Sequence, residues 1–505
     1  MKKVPISTNE MRSLERNAQY LGISHSLLMQ IAGREVARVI IDNEDIEGKS
    51  IVILSGLGGN GGDGLVAARY LDEVGAKVQV FLLGHEKAIS NEDTQVNWDI
   101  LRNLKNINTS TLQTESDVKS CKAIRNADIL VDALMGFGLH STLREPLLTA
   151  VKSINKSKAI KYSIDIPSGI DSDKGVVHGD AVVADHTISL HAEKIGLTHA
   201  AKYAGKSHVV TIGIPREAAY TCGPGDLLHF DRPRKSSAKK GDSGRILVIG
   251  GSDVYSGAPA LSGMAALRTG SDLVSILAPE PVVLAIRKYS PNLMVTSLGT
   301  HILQPEVVDV ALEMISKNDV VVFGPGLGTH PETMTTVTTL VQKIIDLKKP
   351  LVLDADGLKA IAQSGIKLNP DNVVLTPHWG ELKTIMYADL GNSENLENRI
   401  SRAIDAAKQY NASILLKGPI DVIAHPSGNY KINRTGVPAM TVGGTGDVLT
   451  GIIASLLSRY SNAFQAACAG AFISGLAGEL AAHELGDHIV ATDCIEKIPE
   501  VFNKL

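Results

Sequence analysis

Short apolar runs rich in valine and isoleucine recur along this chain, and each stops at a glycine or a polar turn. Ile51-Val52-Ile53-Leu54 leads into Gly56-Leu57-Gly58-Gly59-Asn60-Gly61-Gly62-Asp63-Gly64, with a helix expected over Leu65 to Val74. Ile129 to Val131 ends at Asp132, and Ile160 to Ile164 ends at Asp165. The pattern restarts in the second half. Arg245 to Ile249 leads into Gly250-Gly251-Ser252, and Asp319 to Phe323 into Gly324-Pro325-Gly326-Leu327-Gly328. Pro350 to Leu353 leads into Asp354-Ala355-Asp356-Gly357, Val373 to Thr376 into Pro377-His378-Trp379-Gly380-Glu381, and Ser413 to Leu416 into Lys417-Gly418-Pro419. Short β-branched runs bounded by such turns read as buried strands. Strands that alternate with helices build a parallel sheet covered on both faces. The expected class is therefore α/β. A chain of 505 residues exceeds the usual limit of one core, so two doubly wound domains are expected. Their bounds are 1–214 and 241–505, joined by a linker at 215–240 rich in Pro, Gly, Lys, Arg and Ser.

Composition narrows the function. A net charge of −4 and an aromatic content of 4% give no basis for nucleic-acid binding or for an anionic membrane surface. Cys121, Cys222, Cys468 and Cys494 lie far apart with no CxxC pair, so buried thiols are expected rather than a zinc site or disulfides. The N-terminus lacks an apolar signal region, and a cytoplasmic protein is the expectation. The nearly continuous apolar stretch from Ala466 to Ala482 suits either a core helix or a subunit interface.

In a parallel α/β sheet, ligands bind at the carboxyl ends of the strands. Asn60, Asp132 and Asp165 stand at such ends and should converge. The glycine turn before Leu65 is placed to hold a pyrophosphate at a helix N-terminus, although its spacing is not GxGxxG. Asn60, Asp132 and Ser168 are oxygen donors that suit a hard cation, whose identity residue types do not specify.

The second half carries Val442-Gly443-Gly444-Thr445-Gly446-Asp447-Val448-Leu449-Thr450-Gly451 before an apolar helical pattern. Glycines let the backbone approach an anion, and the free N–H groups of a first helical turn favour negative charge. Asp447 would stand where a phosphoryl group is held, able to take a proton from an attacking hydroxyl. Lys417 could meet a phosphate or lie along the surface, and His378 could touch a ligand or serve the fold.

These motifs resemble a known pairing. The first half is similar to the YjeF N-terminal domain of the NAD(P)H-hydrate epimerases, through Asn60 to Gly64 followed by Leu65-Val66-Ala67-Ala68-Arg69, and through Asp165-Ile166-Pro167-Ser168-Gly169. The second half resembles the ribokinase-like NAD(P)H-hydrate dehydratases, through Thr376-Pro377-His378 and Gly443-Gly444-Thr445-Gly446-Asp447. Together they look like the bifunctional NAD(P)H-hydrate repair family. The resemblance implies a Rossmann-like first domain that interconverts the R and S hydrates at C6. It implies a second domain that dehydrates the S form of NADHX or NADPHX, using ADP as phosphoryl donor and releasing AMP and phosphate.

The resemblance also implies residue roles. Hydrate would bind at Asn60, Gly61, Gly62, Asp63 and Gly64, at Gly136, Phe137, Gly138 and Leu139, and at Asp165, the expected acid/base residue. Potassium would bind at Asn60, Asp132 and Ser168. In the second domain, Ala258, Gly326, His378 and Asp447 would meet the hydrate, with Asp447 as base. Lys417, Gly418, Pro419, Ile420, Asp421, Gly444, Thr445 and Gly446 would meet ADP, with magnesium on its phosphates. A homo-oligomer built on the second domain is implied. Two rivals compete: a ribokinase-like kinase of a vitamin alcohol, and a first domain that serves only as an interaction module.

Overall fold

Alternate residues of each strand feed opposite cores. Ile51 and Ile53 enter one apolar cluster while Val52 and Leu54 enter another, and Ile246 and Val248 are divided in the same way from Leu247 and Ile249. A side-chain period of two with both faces apolar requires a sheet covered on both sides. The computed structural model describes residues 4–136, 142–177, 179–230, 234–362, 364–460 and 462–504. The chain divides into two compact units, Met1–Ala218 and Ala219–Leu505.

The first unit holds β1 (Ser50–Ser55), β2 (Lys77–Leu83), β3 (Asn108–Leu112), β4 (Ile129–Ala133), β5 (Ile160–Ile164), β6 (His186–Leu190) and β7 (Lys206–Val210). All pair in parallel, in the order β3-β2-β1-β4-β5-β6-β7. The order reverses between β1 and β4, and a crevice opens at such a switch point. Val182 donates its N–H to the Ser168 carbonyl from a loop, and β6 begins only at His186. Helices α1 (Thr8–Tyr20), α2 (His25–Asn43) and α3 (Gly59–Glu73) matter most for the site. Ser7 and Glu10 close a capping box at the start of α1, as their spacing indicates.

The second unit holds β8 (Arg245–Ile249), β9 (Leu273–Ala278), β10 (Leu293–Ser297), β11 (Val320–Phe323), β12 (Leu351–Leu353), β13 (Val373–Leu375), β14 (Ser413–Leu416), β15 (Asp421–Ala424) and β16 (Tyr430–Asn433). Their order, β10-β9-β8-β11-β12-β13-β14-β15-β16, repeats that of the first sheet and adds an antiparallel hairpin at one edge. Both halves are thus doubly wound, as expected.

The expected linker at 215–240 is corrected in part. Cys222, Leu227 and Phe230 are buried in a core of the second unit, and Asp226 pairs with Lys431 at 2.6 Å. Apolar burial and a shielded ion pair fasten this segment, despite its polar composition. The apolar helix Ala463–Leu485 is long enough to cross a membrane, yet most of it is buried against the sheet and neighbouring helices. It is a core helix of this unit. Cys222, Cys468 and Cys494 are buried free thiols, and Cys121 is partly buried and free.

Helix Thr445–Arg459 crosses helix Gly257–Thr269 at Gly451, where an added Cβ would lie 2.0 Å from the Ser262 carbonyl oxygen. Gly451→Ala is therefore expected to force the helices apart, at about 1–3 kcal/mol. A lower chemical-unfolding midpoint of the second unit is the expected result, and an unchanged midpoint would contradict this packing.

Candidate active sites at the strand ends

In the first unit, the helix opens earlier than its glycines suggest. Helix α3 begins at Gly59, with Gly58 as its cap, so Asn60 to Gly64 lie within it and not in a loop. The glycines have two different functions. An added Cβ at Gly61 would lie 2.1 Å from the Gly56 carbonyl oxygen, at Gly62 2.5 Å from Met29, and at Gly64 2.6 Å from Ala133. These three let the helix pack and do not line the cavity. At Gly58 and Gly59 an added Cβ would meet open space. The backbone N–H groups of Gly59, Asn60 and Gly61 precede the first helical bond, which runs from the Gly62 N–H to the Gly58 carbonyl. The end of α3 with N–H groups free of the helix's own bonds therefore lies at 58–61.

A cavity of about 590 Å³ opens at this end, bounded by Gly56 to Asn60, Asp63, Leu134 to Gly136, Asp165 and residues of α1 and α2. Asn60 packs against Gly136, and its amide nitrogen is buried without a hydrogen-bond partner. Phe137, Gly138 and Leu139 lie outside the described residues.

Asp132 ends β4 and is buried. Its Oδ1 accepts from Ser168 Oγ at 2.6 Å and from the Leu134 N–H at 3.3 Å. Its Oδ2 accepts from the Ser168 N–H at 2.9 Å and from Ser163 Oγ at 2.8 Å. Every one of these donors is neutral. Burial raises the Asp132 pKa, and the hydrogen bonds offset only part of the rise. Two hydroxyls and two backbone N–H groups thus surround a buried carboxylate that has no cation among its described partners.

Asp165 follows β5 with φ of 67°, a left-handed conformation that Asp tolerates better than most residues. Its Oδ1 accepts from the Leu190 N–H at 3.1 Å and from Lys194 Nζ. Lys194 is fully buried and also donates to the Leu190 and Ala192 carbonyls, each at 3.1 Å. Three more carboxyl residues line the same cavity: Glu15, Asp63 and Asp93. Burial and the neighbouring Asp165 push Glu15 up to about 7, against the pull of Lys194 and Arg12. Burial, Asp165 and Glu15 push Asp63 well above the carboxylate range. Sequence reasoning missed Glu15 and Lys194. The signal for Glu15 was its place on α1, four residues after buried Met11 and three before buried Ala18, which puts a carboxyl on the apolar face.

In the second unit, Gly444 has φ of 94° and caps helix Thr445–Arg459. The N–H groups of Thr445, Gly446 and Asp447 precede the first helical bond, from the Val448 N–H to the Gly444 carbonyl. Lys417 Nζ lies beside this turn, 3.3 Å from where a Gly446 Cβ would stand. The lysine pairs with Asp354 at 2.8 Å and approaches Glu381 at 3.9 Å, so it is not a surface lysine. Burial opposes its charge, but Asp354 and Glu381 overcome that and hold its pKa above the ordinary value. Thr450 Oγ1 donates to the other Asp354 oxygen at 2.9 Å. Burial, then the charge of Asp354, pushes Asp447 up to about 7, with Lys417 opposing and Glu381 adding. Asp354, Glu381 and Thr450 were legible only as members of strand-end turns or helix patterns, not as site residues.

His378 caps helix Trp379–Met386, its Nδ1 accepting the N–H groups of Gly380 at 2.9 Å and Glu381 at 3.2 Å. Its side chain is exposed, with Nε2 3.6 Å from Glu381 Oε1, and its backbone is bridged to Lys417. It thus serves the fold and still offers a ring edge to a ligand. Gly418, Pro419, Ile420 and Asp421 form the turn from β14 to β15, where Arg399 donates to the Lys417 and Ile420 carbonyls. Asp421 accepts the Gly418 N–H at 3.0 Å, and its burial raises its pKa. Gly326 and Ala258 are neighbours, since a Gly326 Cβ would lie 3.4 Å from that of Ala258. One turn after Ala258, Ser262 Oγ donates to the Asp447 carbonyl at 2.9 Å and so links this pair to the glycine loop.

Residues 25–196 match the family described as the YjeF-related protein N-terminus, and residues 246–500 match NAD(P)H-hydrate dehydratase. The chain is 41% identical to a bifunctional NAD(P)H-hydrate repair enzyme of Pyrobaculum aerophilum, over 99% of this chain and 98% of that one. It is 38% identical to one of Hyperthermus butylicus, over 99% of this chain and 92% of the relative. Among solved structures, an ADP/ATP-dependent NAD(P)H-hydrate dehydratase from Bacillus subtilis, co-crystallised with ATP and magnesium, is 27% identical with a TM-score of 0.46, over 54% of this chain and 93% of that one.

Proposed function

The chain belongs to the bifunctional NAD(P)H-hydrate repair enzymes, and from that premise we propose how its own residues divide the two reactions. It is an NAD(P)H-hydrate epimerase joined to an NAD(P)H-hydrate dehydratase. Hydroxide is a poor leaving group, so dehydration needs the C6 oxygen converted into a better one. The placement of Asp447 carries this part of the reading: a carboxyl in the first turn of a helix whose free N–H groups face the same site as Lys417. Asp447 takes the proton of the C6 hydroxyl as its oxygen attacks the terminal phosphoryl of ADP. The N–H groups of Thr445 and Gly446, with that of Asp447, stabilise the charge on the transferred group. AMP departs. The ring nitrogen then pushes out phosphate from C6, and loss of a proton from the adjacent ring carbon restores the reduced nicotinamide. Lys417 exchanges Asp354 for the nucleotide's phosphates, near the Gly418 to Asp421 turn. His378, Ala258 and Gly326 contact the hydrate.

Asp354, Glu381 and Asp447 outnumber Lys417, a surplus of acidic groups that suits magnesium carried in on the nucleotide. Chelating magnesium is expected to stop NADH formation and phosphate release together. Stable phosphorylated product accumulating in place of released phosphate would instead favour the vitamin-alcohol kinase.

A base must be ionised to act. With Asp447 pushed up to about 7, kcat/KM for dehydration of the S form is expected to rise with pH through the neighbourhood of pH 7. A rate flat from pH 5 to pH 9 would remove Asp447 from proton transfer.

In the first unit, the hydrate's phosphates rest on the 58–61 end of α3, where the unpartnered Asn60 amide offers a donor. Asn60, Asp132 and Ser168 would hold potassium, which would supply positive charge to the site. Asp165 acts at C6. A homo-oligomer built on the second unit is also proposed, with exposed Leu284, Tyr289 and Met294 as apolar surface available to it.

A further inference from the structure

We infer that Glu15 is the proton donor of the epimerase site, working against Asp165 as the base. The inference rests on the assignment of epimer exchange to the first unit. Glu15, Asp63 and Asp165 line one cavity, and Lys194 is a fully buried cation beside them. Lys194 is bound to Asp165 and to two carbonyls. Asp165 is thereby the carboxyl paired with a buried cation, with an Oδ2 that accepts no hydrogen bond among the described residues. The Glu15 and Asp63 carboxyls likewise accept none among the described residues, so nothing there stabilises their ionised forms by hydrogen bonding.

The groups acting on Glu15 come from every side of the cavity: Arg12 from its own helix, Asp63 from α3, Asp165 after β5, and Lys194 beyond β6. His25 of α2 and Asp93 line the same space. Their sum pushes Glu15 up to about 7, and burial with the charges of Asp165 and Glu15 raises Asp63 as well. A general acid works best when its pKa lies near the working pH, as that of Glu15 does. The cap at Ser7 and the buried Met11 and Ala18 fix the helix that presents it.

The step balances without any oxidant or reductant. Glu15 gives its proton to the C6 hydroxyl oxygen, the C6–O bond breaks, and the ring nitrogen lone pair forms the C=N bond as water leaves. Water then adds to the opposite face of C6 and gives a proton to Asp165. That proton returns through water to Glu15, and the hydroxyl has changed face.

The test uses the full-length protein and the separated R and S hydrates without nucleotide, so the dehydratase is silent. Glu15→Gln is expected to slow exchange about a hundredfold while hydrate affinity is retained. Wild-type kcat/KM for exchange should fall as pH rises through about 7, and that limb should be missing in Glu15→Gln. Glu15→Asp should recover part of the rate. Dehydration of the S form with ADP should stay at the wild-type rate in both variants. Exchange at the wild-type rate in Glu15→Gln, or the same alkaline limb in it, would overturn the role of Glu15. Absence of exchange in the wild-type protein would instead overturn the assignment of the first unit.

Discussion

Replacing Asp447 by alanine is expected to lower dehydratase turnover about a hundredfold or more, the scale of a general base, while epimer exchange continues at the wild-type rate. The reason is local. Asp447 lies on the first turn of helix Thr445–Arg459, and the helix holds through its apolar face, from Val448 to Leu457, without the carboxyl. The backbone anion site is therefore kept when the side chain is removed. Asp354 and Glu381 both raise the Asp447 pKa. Their negative charge stays in place, and Lys417 stays paired. Nucleotide affinity should change little and kcat should carry the loss. A fall in KM-linked binding with kcat preserved would make Asp447 a binding group and not the base. Asp447→Asn should match the alanine variant, because an amide cannot take the proton.

The second large effect is expected at Asp165. Asp165→Asn should reduce epimer exchange to the uncatalysed background. Asparagine tolerates the left-handed backbone at φ of 67°, so the turn itself survives. The substitution also leaves the fully buried Lys194 without its carboxylate, and breaking a buried pair costs about 3–5 kcal/mol. Loss of activity alone would thus be ambiguous. The double variant Asp165→Asn with Lys194→Met removes both charges and is expected to recover most of that stability without recovering exchange. Unchanged exchange in Asp165→Asn would refute the role of the carboxylate. Exchange restored in the double variant would show that only the ion pair, and its service to the fold, mattered.

The two halves make opposite use of one physical device. Burial and neighbouring carboxylates bring Glu15 and Asp447 each to about 7. The first is needed protonated and the second ionised. Exchange should therefore fall, and dehydration rise, as pH increases through neutrality.

Much of this arrangement was legible in the residue order. Runs such as Ile51 to Leu54 and Val320 to Phe323 announce strands because both faces of a parallel sheet are apolar. The acids Asp132 and Asp165 stand out because a polar residue at a strand end has only turn or ligand to serve. What was not legible depends on contacts distant in sequence. Gly61, Gly62 and Gly64 read as loop because glycine disfavours helix, yet α3 needs them to approach Gly56, Met29 and Ala133. Lys194 reads as one more loop lysine until the fold places it against Asp165, 29 residues away. Asp354 meets Thr450 across 96 residues, and Asp226 meets Lys431 across 205. No local pattern carries such pairings. The hairpin of β15 and β16 has strands of four residues each, too short for an alternation to declare itself.

The most direct test mixes the protein with equal amounts of the R and S hydrates of NADH, magnesium and ADP, and follows the near-ultraviolet absorbance of the reduced ring. Recovery of NADH from the whole of the mixture is expected, because exchange in the first unit feeds dehydration in the second. Recovery that stops near half would contradict the account, since the R form would then have no enzymatic route to the dehydratase.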